Sequence, residues 1–118
     1  MKTTSTGLTR IINAAKFSWL GFKATYKHEE AFRQEFILAV LLTPLAYFLA
    51  ETKFEFIALI GVLFLVLIVE ILNSAIESVV DRIGAEHHEL SGRAKDQGSL
   101  AVLLAIIFAV FVWVVVVW

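Results

Sequence analysis

Glu70, Asn73, Glu77 and Asp81 stand at i, i+3, i+7 and i+11, so a helix through them gathers three carboxylates and an amide on one face. Glu70 follows directly on the apolar run from Phe56 to Val69, where an unpartnered carboxylate is costly and usually functional. A row of anions repels itself unless protons, basic side chains or a cation neutralise it. Mg²⁺ with a polyphosphate meets that need, because carboxylate and phosphate oxygens are its usual ligands and it keeps part of its water shell. Taken alone, the row favours cation or proton chemistry, with structural helix pairing second and a solvated extension of the helix third.

A second chemistry-bearing stretch, GAEHHELSGRAKDQGS, places Glu86, His87, His88, Glu89, Arg93, Lys95 and Asp96 among Gly84, Gly92 and Gly98. It lacks the strand, helix and GK[ST] pattern of a phosphate-binding P-loop. Arg93 and Lys95 could still meet phosphate while the glycines admit close backbone approach, and a turn with surface charges is the plain alternative. Adjacent histidines on a helix diverge by about 100°, so His87 and His88 make a poor zinc pair. Earlier in the chain, Glu29 and Arg33 share a helical face at i and i+4 and could pair, while Glu35 points about 200° away from Arg33.

These residues need elements to hold them, and the composition says where those elements lie. With 118 residues, 59% hydrophobic and only 18% charged, and a mean hydropathy of +0.83, the chain carries more apolar surface than a soluble globule of its size can hide. The excess is expected to face lipid. The absence of cysteine removes disulfides, thiol nucleophiles and Cys-ligated metals, and a net charge of -1 argues against nucleic acid as a partner.

Three apolar blocks predict an all-α integral membrane protein forming one domain over 1–118, with transmembrane helices at 31–50, 54–83 and 97–118. Pro44 falls inside the first, with Thr43 beside it as a partner for a freed backbone group, so a mild kink is expected. The second is long enough for its polar end to protrude as a cytoplasmic extension. Residues 1–35 lack the apolar core of a cleaved signal peptide.

Of the ten Lys and Arg, Lys2, Arg10, Lys16, Lys23, Lys27 and Arg33 precede the first block and Arg82, Arg93 and Lys95 lie between the second and third, leaving Lys53 alone on the other side. The positive-inside rule then sets the N-terminus in the cytoplasm and the C-terminus outside. Leu8, Ile11, Ala15, Trp19, Phe22 and Tyr26 recur at helical steps, with Lys16, Lys23 and Lys27 at the stripe's edge, which predicts an amphipathic interfacial helix over 6–28. Because Glu70, Asn73 and Glu77 need shielding from lipid, association between subunits is also expected.

VEILNSAIESVVDRIG (Val69 to Gly84) followed by HELSGRAKDQGS (His88 to Ser99) resembles the small integral-membrane diacylglycerol kinases of Gram-negative bacteria, as do EEAFRQE at Glu29 to Glu35 and GLTRIINAAKFSW at Gly7 to Trp19. The related polyprenol kinases of Gram-positive bacteria share the acidic motif and are the second reading. The resemblance implies a homotrimer in the bacterial inner membrane, each subunit with a surface helix and three transmembrane helices, and active sites between neighbours near the cytoplasmic interface. It implies transfer of the γ-phosphoryl group of Mg-ATP to diacylglycerol, giving phosphatidic acid and ADP. Glu70 then resembles the acceptor of the lipid hydroxyl proton, Asn73 an orienting catalytic group, and Glu29 and Glu77 the Mg²⁺ ligands. Arg10, Phe17, Glu29, Glu77, Glu86, His88, Lys95 and Asp96 resemble the ATP-side residues, and Arg10, Trp19, Arg33, Glu70 and Ser99 the lipid-side residues. Phe17 and His87 depart from the familiar pattern, which has tyrosine at both places. A reading from another class, a small membrane transporter or channel subunit, rests on intramembrane carboxylates also marking ion paths.

Overall fold

A computed structural model describes residues 6–84 and 86–118, and Lys2, counted above for orientation, falls outside them. Four helices follow one another: α1 (Gly7–His28), α2 (Glu30–Leu49), α3 (Lys53–Ile83) and α4 (Glu89–Val117). The last three are long and apolar enough to cross a membrane. At 31 residues, α3 is about 46 Å long, well beyond the roughly 30 Å hydrocarbon layer.

The helix ends follow local chemistry. Thr52 caps α3, its hydroxyl accepting from the Glu55 amide at 3.1 Å, while the Glu55 carboxylate accepts from the Glu51 amide at 3.0 Å and closes the tight α2–α3 turn. Pro44 sits within a continuous α2. The Thr43 hydroxyl donates to the Ala39 carbonyl at 2.7 Å, one residue short of the Val40 carbonyl that a proline at position 44 leaves without its amide donor. The α1–α2 joint is a single non-helical residue, Glu29, at φ -113° and ψ 104°.

Helix α4 begins at Glu89, so most of the polar stretch expected to connect the second and third spans is itself helical. His88 initiates it, its Nδ1 accepting from the Leu90 amide at 3.0 Å, and Glu89 stands in the first turn. The Arg93 guanidinium lies 3.5 Å from the Glu89 carboxylate, an i,i+4 pair that favours the helix across Gly92.

The most extensive packing joins α3 to α4, then α2 to α3, with α1 laid against α2. Val62 and Val66 of α3 interlock with Ala105 and Ala109 of α4, flanked by Val69, Val112 and Trp113. Alanines on α4 allow the close backbone approach typical of packed membrane helices. The Trp113 indole donates to the Leu59 carbonyl at 3.1 Å, tying α4 to α3 near the end remote from the polar residues. Leu59 and Ala46 are fully buried. Most other large apolar side chains, Phe48, Phe54, Phe64 and Phe111 among them, point outward, as a lipid-facing surface requires.

Candidate functional site

The packed stripe of α3 runs Leu59, Val62, Val66, Glu70, Asn73, Glu77, at steps of three and four. The polar residues thus occupy the register of a hydrophobic seam, and burial follows: Glu70 is 7% exposed, Asn73 8% and the adjacent Ser74 7%. On the facing side, α4 presents Gly98 where a larger residue has no room. A Cβ there would collide with Asn73 Oδ1. Asn73 Nδ2 donates to Glu77 Oε1 at 2.9 Å, while Asn73 Oδ1 is buried without a hydrogen-bond partner. An unfilled buried acceptor beside a half-buried carboxylate is a costly arrangement and marks a place for an incoming donor.

Glu70 meets a second acid. The Glu35 carboxyl, from α2, faces the Glu70 carboxyl, and its Oε2 is buried without a hydrogen-bond partner. Glu35 also borders a groove of about 420 Å³ between α2, α3 and α4 whose other walls include Leu38, Leu42, Leu67 and Ile106. Helices of the same chain bury Glu70 and Asn73 and leave Glu77 half-buried.

Toward the polar end of the same seam, Lys95 Nζ of α4 lies 2.7 Å from Asp81 of α3, across an exposed surface. Lys95, Asp81, Gly84, Glu86, His88 and Ser91 line a shallow hollow of about 210 Å³. Asp96, one residue on, turns into a neighbouring hollow of about 450 Å³ with His87, Glu89 and Arg93. The structure thus gathers Glu86, His88 and Lys95 and sets Asp96 around the helix from them. His88 already spends its Nδ1 on the start of α4.

The α1–α2 corner holds the remaining residues. Arg33 Nη1 donates to the Tyr26 carbonyl at 2.8 Å and to the Lys27 carbonyl at 2.9 Å, capping the last turn of α1. This replaces the Glu29–Arg33 ion pair expected from spacing: among the described residues the pairs within 4 Å are Arg93–Glu89 and Lys95–Asp81. Phe22 packs edge-on against Phe32 and Phe36 at ring distances of 5.9 and 5.1 Å, and stacks on Trp19 at 5.7 Å. Trp19, Arg10 and Ser99 are exposed, and Phe17 and Glu29 are half-buried.

Among the described residues no three His, Cys, Asp or Glu side chains cluster so as to hold a metal ion. Mg²⁺ ordinarily takes one or two carboxylates together with substrate phosphates and water, and Glu77, with one oxygen occupied by Asn73 and the other available, has the chemistry for such an incomplete site.

The profile of the prokaryotic diacylglycerol kinase family matches residues 16–117. The chain belongs to that family. It is 55% identical over 109 residues to a diacylglycerol kinase of Haemophilus influenzae, with 92% of each chain covered. It is 54% identical over 118 residues to the diacylglycerol kinase of Escherichia coli strain K12, covering 100% of this chain and 97% of that one. A diacylglycerol kinase of Pseudomonas aeruginosa is 47% identical over 108 residues, 92% of this chain and 88% of the other. Within this kinase family frame, two residues that sequence reasoning did not single out stand at the centre of the geometry. Gly98 sets the α3–α4 approach at Asn73. Glu35 lies on the α2 stripe that runs from buried Phe32 through half-buried Ala39 and Leu42 to buried Ala46 at steps of three and four, and that register was the signal that could have found it.

Proposed function

We propose that the chain is an ATP-dependent lipid kinase that transfers the γ-phosphoryl group of Mg-ATP to diacylglycerol, releasing phosphatidic acid and ADP. Family membership and the names of relatives covering the whole chain support the reading. The observation that carries it is the single face of α3, which passes from Val62 and Val66, through buried Glu70 and Asn73, to exposed Asp81 beside Lys95. A lipid substrate and a water-soluble nucleotide need such a gradient in order to meet.

In this reading Glu70 accepts the hydroxyl proton as the lipid oxygen attacks the γ-phosphorus, since a primary alcohol is far too weak an acid to be deprotonated beforehand. Asn73 orients the reacting groups. Glu29 and Glu77 would hold Mg²⁺, which supplies charge neutralisation at the phosphate oxygens. Lys95 exchanges Asp81 for a phosphate oxygen, and Glu86, His88 and Asp96 border the nucleotide. Arg10 and Phe17, carried on α1, complete that side. Phe17 keeps the ring of the family's tyrosine without its hydroxyl. Arg33, Trp19 and Ser99 bound the lipid side. The helix α1 lies in the cytoplasmic interface, the N-terminus is cytoplasmic and the C-terminus periplasmic, and three subunits assemble in the bacterial inner membrane. The number three rests on the resemblance.

The test is a direct comparison in mixed micelles. With Mg-ATP, the purified protein should phosphorylate diacylglycerol much faster than an undecaprenol-like alcohol. The opposite preference would assign it to the polyprenol kinases, and proton or solute flux in vesicles without lipid phosphorylation would assign it to transport.

A further inference from the structure

Arg33 belongs to two helices at once. Its amide donates to the Glu29 carbonyl at 3.2 Å and so opens the first turn of α2, while its guanidinium serves the end of α1. The last backbone hydrogen bond of α1 runs from the Glu29 amide to the Thr25 carbonyl at 2.9 Å. Arg33 Nη1 takes the next two carbonyls, those of Tyr26 and Lys27, at 2.8 and 2.9 Å. A cation at that place satisfies orphaned acceptors and suits the negative end of the helix dipole. The side chain thus spans Glu29, the one residue that interrupts the helical path between α1 and α2. In other respects α1 is lightly held. None of its residues is buried, and its ring contacts with α2 start from Phe22 and Tyr26, close to the joint, and end on Phe32 and Phe36.

We propose that Arg33 is a positioning residue, a strut that locks the angle of α1 on α2, so that Arg10 and Phe17 reach the nucleotide side and the Glu29 carboxylate stays unpaired for the cation. The inference rests on the lipid-kinase reading above. Because α1 is one continuous helix from Gly7 to His28, Arg10 stands about 27 Å from the joint and Phe17 about 16 Å, at a rise of about 1.5 Å per residue. A swing of about 10° at Glu29 then moves Arg10 by about 5 Å and Phe17 by about 3 Å, further than a hydrogen bond can follow. The same commitment governs charge. Spacing offers Arg33 to Glu29 as an i,i+4 partner, and an ion pair there would neutralise a carboxylate proposed to hold Mg²⁺. With the guanidinium held on backbone carbonyls, Glu29 enters no ion pair among the described residues. Arg33 therefore acts through the backbone of α1 and needs no contact of its own with phosphate, metal or lipid.

The angle can be read apart from the reaction. The chain has no cysteine, so Ser18→Cys on α1 and Leu41→Cys on α2, both at exposed positions, can carry a pair of nitroxide labels in the full-length protein. Dilution with unlabelled chains restricts the measured distances to those within one chain. In bilayers the distance distribution should be narrow while Arg33 is present and should widen about twofold or more in Arg33→Gln, as the joint becomes a hinge. In the unlabelled proteins, Arg33→Gln should raise the KM for Mg-ATP about fivefold or more, and by a larger factor than the KM for diacylglycerol, because Arg10 and Phe17 lie farther out on the lever than Trp19. Arg33→Lys keeps the charge, but its ammonium ends about one bond short of Nη1 and reaches one carbonyl at most, so it should fall between the native protein and Arg33→Gln in both readings. It also stands in for Arg33→Gln should that protein not fold. A native distribution in Arg33→Gln, an unchanged KM for Mg-ATP, a rise confined to the KM for diacylglycerol, or native behaviour of Arg33→Lys in both readings would each overturn the strut. If the native protein makes no phosphatidic acid, the kinase reading fails, and the distance distribution still decides whether Arg33 locks the joint.

Discussion

A base and a metal ligand make different demands on a carboxylate, and Glu70 and Glu77, the residues proposed for those roles, differ in their surroundings. Glu70 is buried next to apolar walls, while Glu77 is half-buried with Asn73 Nδ2 on one oxygen. Glu77→Gln should therefore weaken productive Mg-ATP binding and steepen the dependence on Mg²⁺, and Glu29→Gln should behave likewise if both serve the cation. Turnover and nucleotide affinity across a Mg²⁺ titration test this. Unchanged metal dependence in both variants would remove the ligand assignment. Glu70→Gln, in the same assay, should leave nucleotide affinity largely intact. Asn73 and Gly98 form a second pair to probe at this scale. A methyl group at position 98 meets Asn73 Oδ1 head-on, so Gly98→Ala should destabilise by about 1–3 kcal/mol through overpacking and should disturb the Asn73–Glu77 hydrogen bond. Adding Asn73→Ala makes space for that methyl group. The stability cost of the double variant, measured by denaturation in detergent, should then fall well below the sum of the single costs.

At the scale of helices, the three apolar blocks were readable because a stretch that crosses a bilayer must be apolar along its whole length. The start of α4 was not readable. Gly84, Gly92 and Gly98 in a charged stretch look like a flexible connection, yet the His88 cap, Glu89 in the first turn and the Arg93–Glu89 pair extend the helix through two of these glycines. The role of Gly98 shows why propensity misled: its lack of a side chain serves packing on Asn73 and leaves the backbone helical. Glu35 escaped notice because it was compared with Arg33, its neighbour in sequence. The informative comparison was with Phe32 and Ala39, its neighbours along the buried stripe. The acidic face of α3, by contrast, was legible from spacing alone, since burial follows helical register. One prediction belongs to the α3–α4 seam itself. Trp113→Phe retains the ring and removes the indole N–H that reaches the Leu59 carbonyl, so it should cost about 0.5–1.5 kcal/mol of stability. Turnover at saturating substrate should change little, because the contact lies at the end of the seam remote from Glu70.

For the molecule as a whole, the outward-facing side chains of α2, α3 and α4 are overwhelmingly apolar, which suits lipid and also suits other subunits. Burial of Glu70 and Asn73 within one chain means that an isolated subunit is not forced to associate in order to hide them. Any obligate role for a trimer must come from residues that one chain leaves unassembled, namely Arg10 and Phe17 on α1 and the incomplete cation site around Glu77. Two impaired proteins, Arg10→Ala and Glu77→Gln, should thus gain activity over either alone when mixed and reassembled, if sites form between neighbours. A failure to complement, with mixed oligomers verified by native mass measurement, would place the whole site within a single subunit.

The early start of α4 has a mechanical consequence. Lys95 and the stretch from Leu100 to Val117 belong to one uninterrupted helix, so the side chain proposed to meet the nucleotide is rigidly coupled to a segment apolar enough to cross a membrane. A bilayer thicker or thinner than that segment prefers makes membrane helices tilt or the lipid deform. Tilt of α4 would slide Lys95 past Asp81 and away from the carboxylates of α3. Membrane thickness then acts as a lever on catalysis, and kcat measured in bilayers of graded acyl length should pass through a maximum.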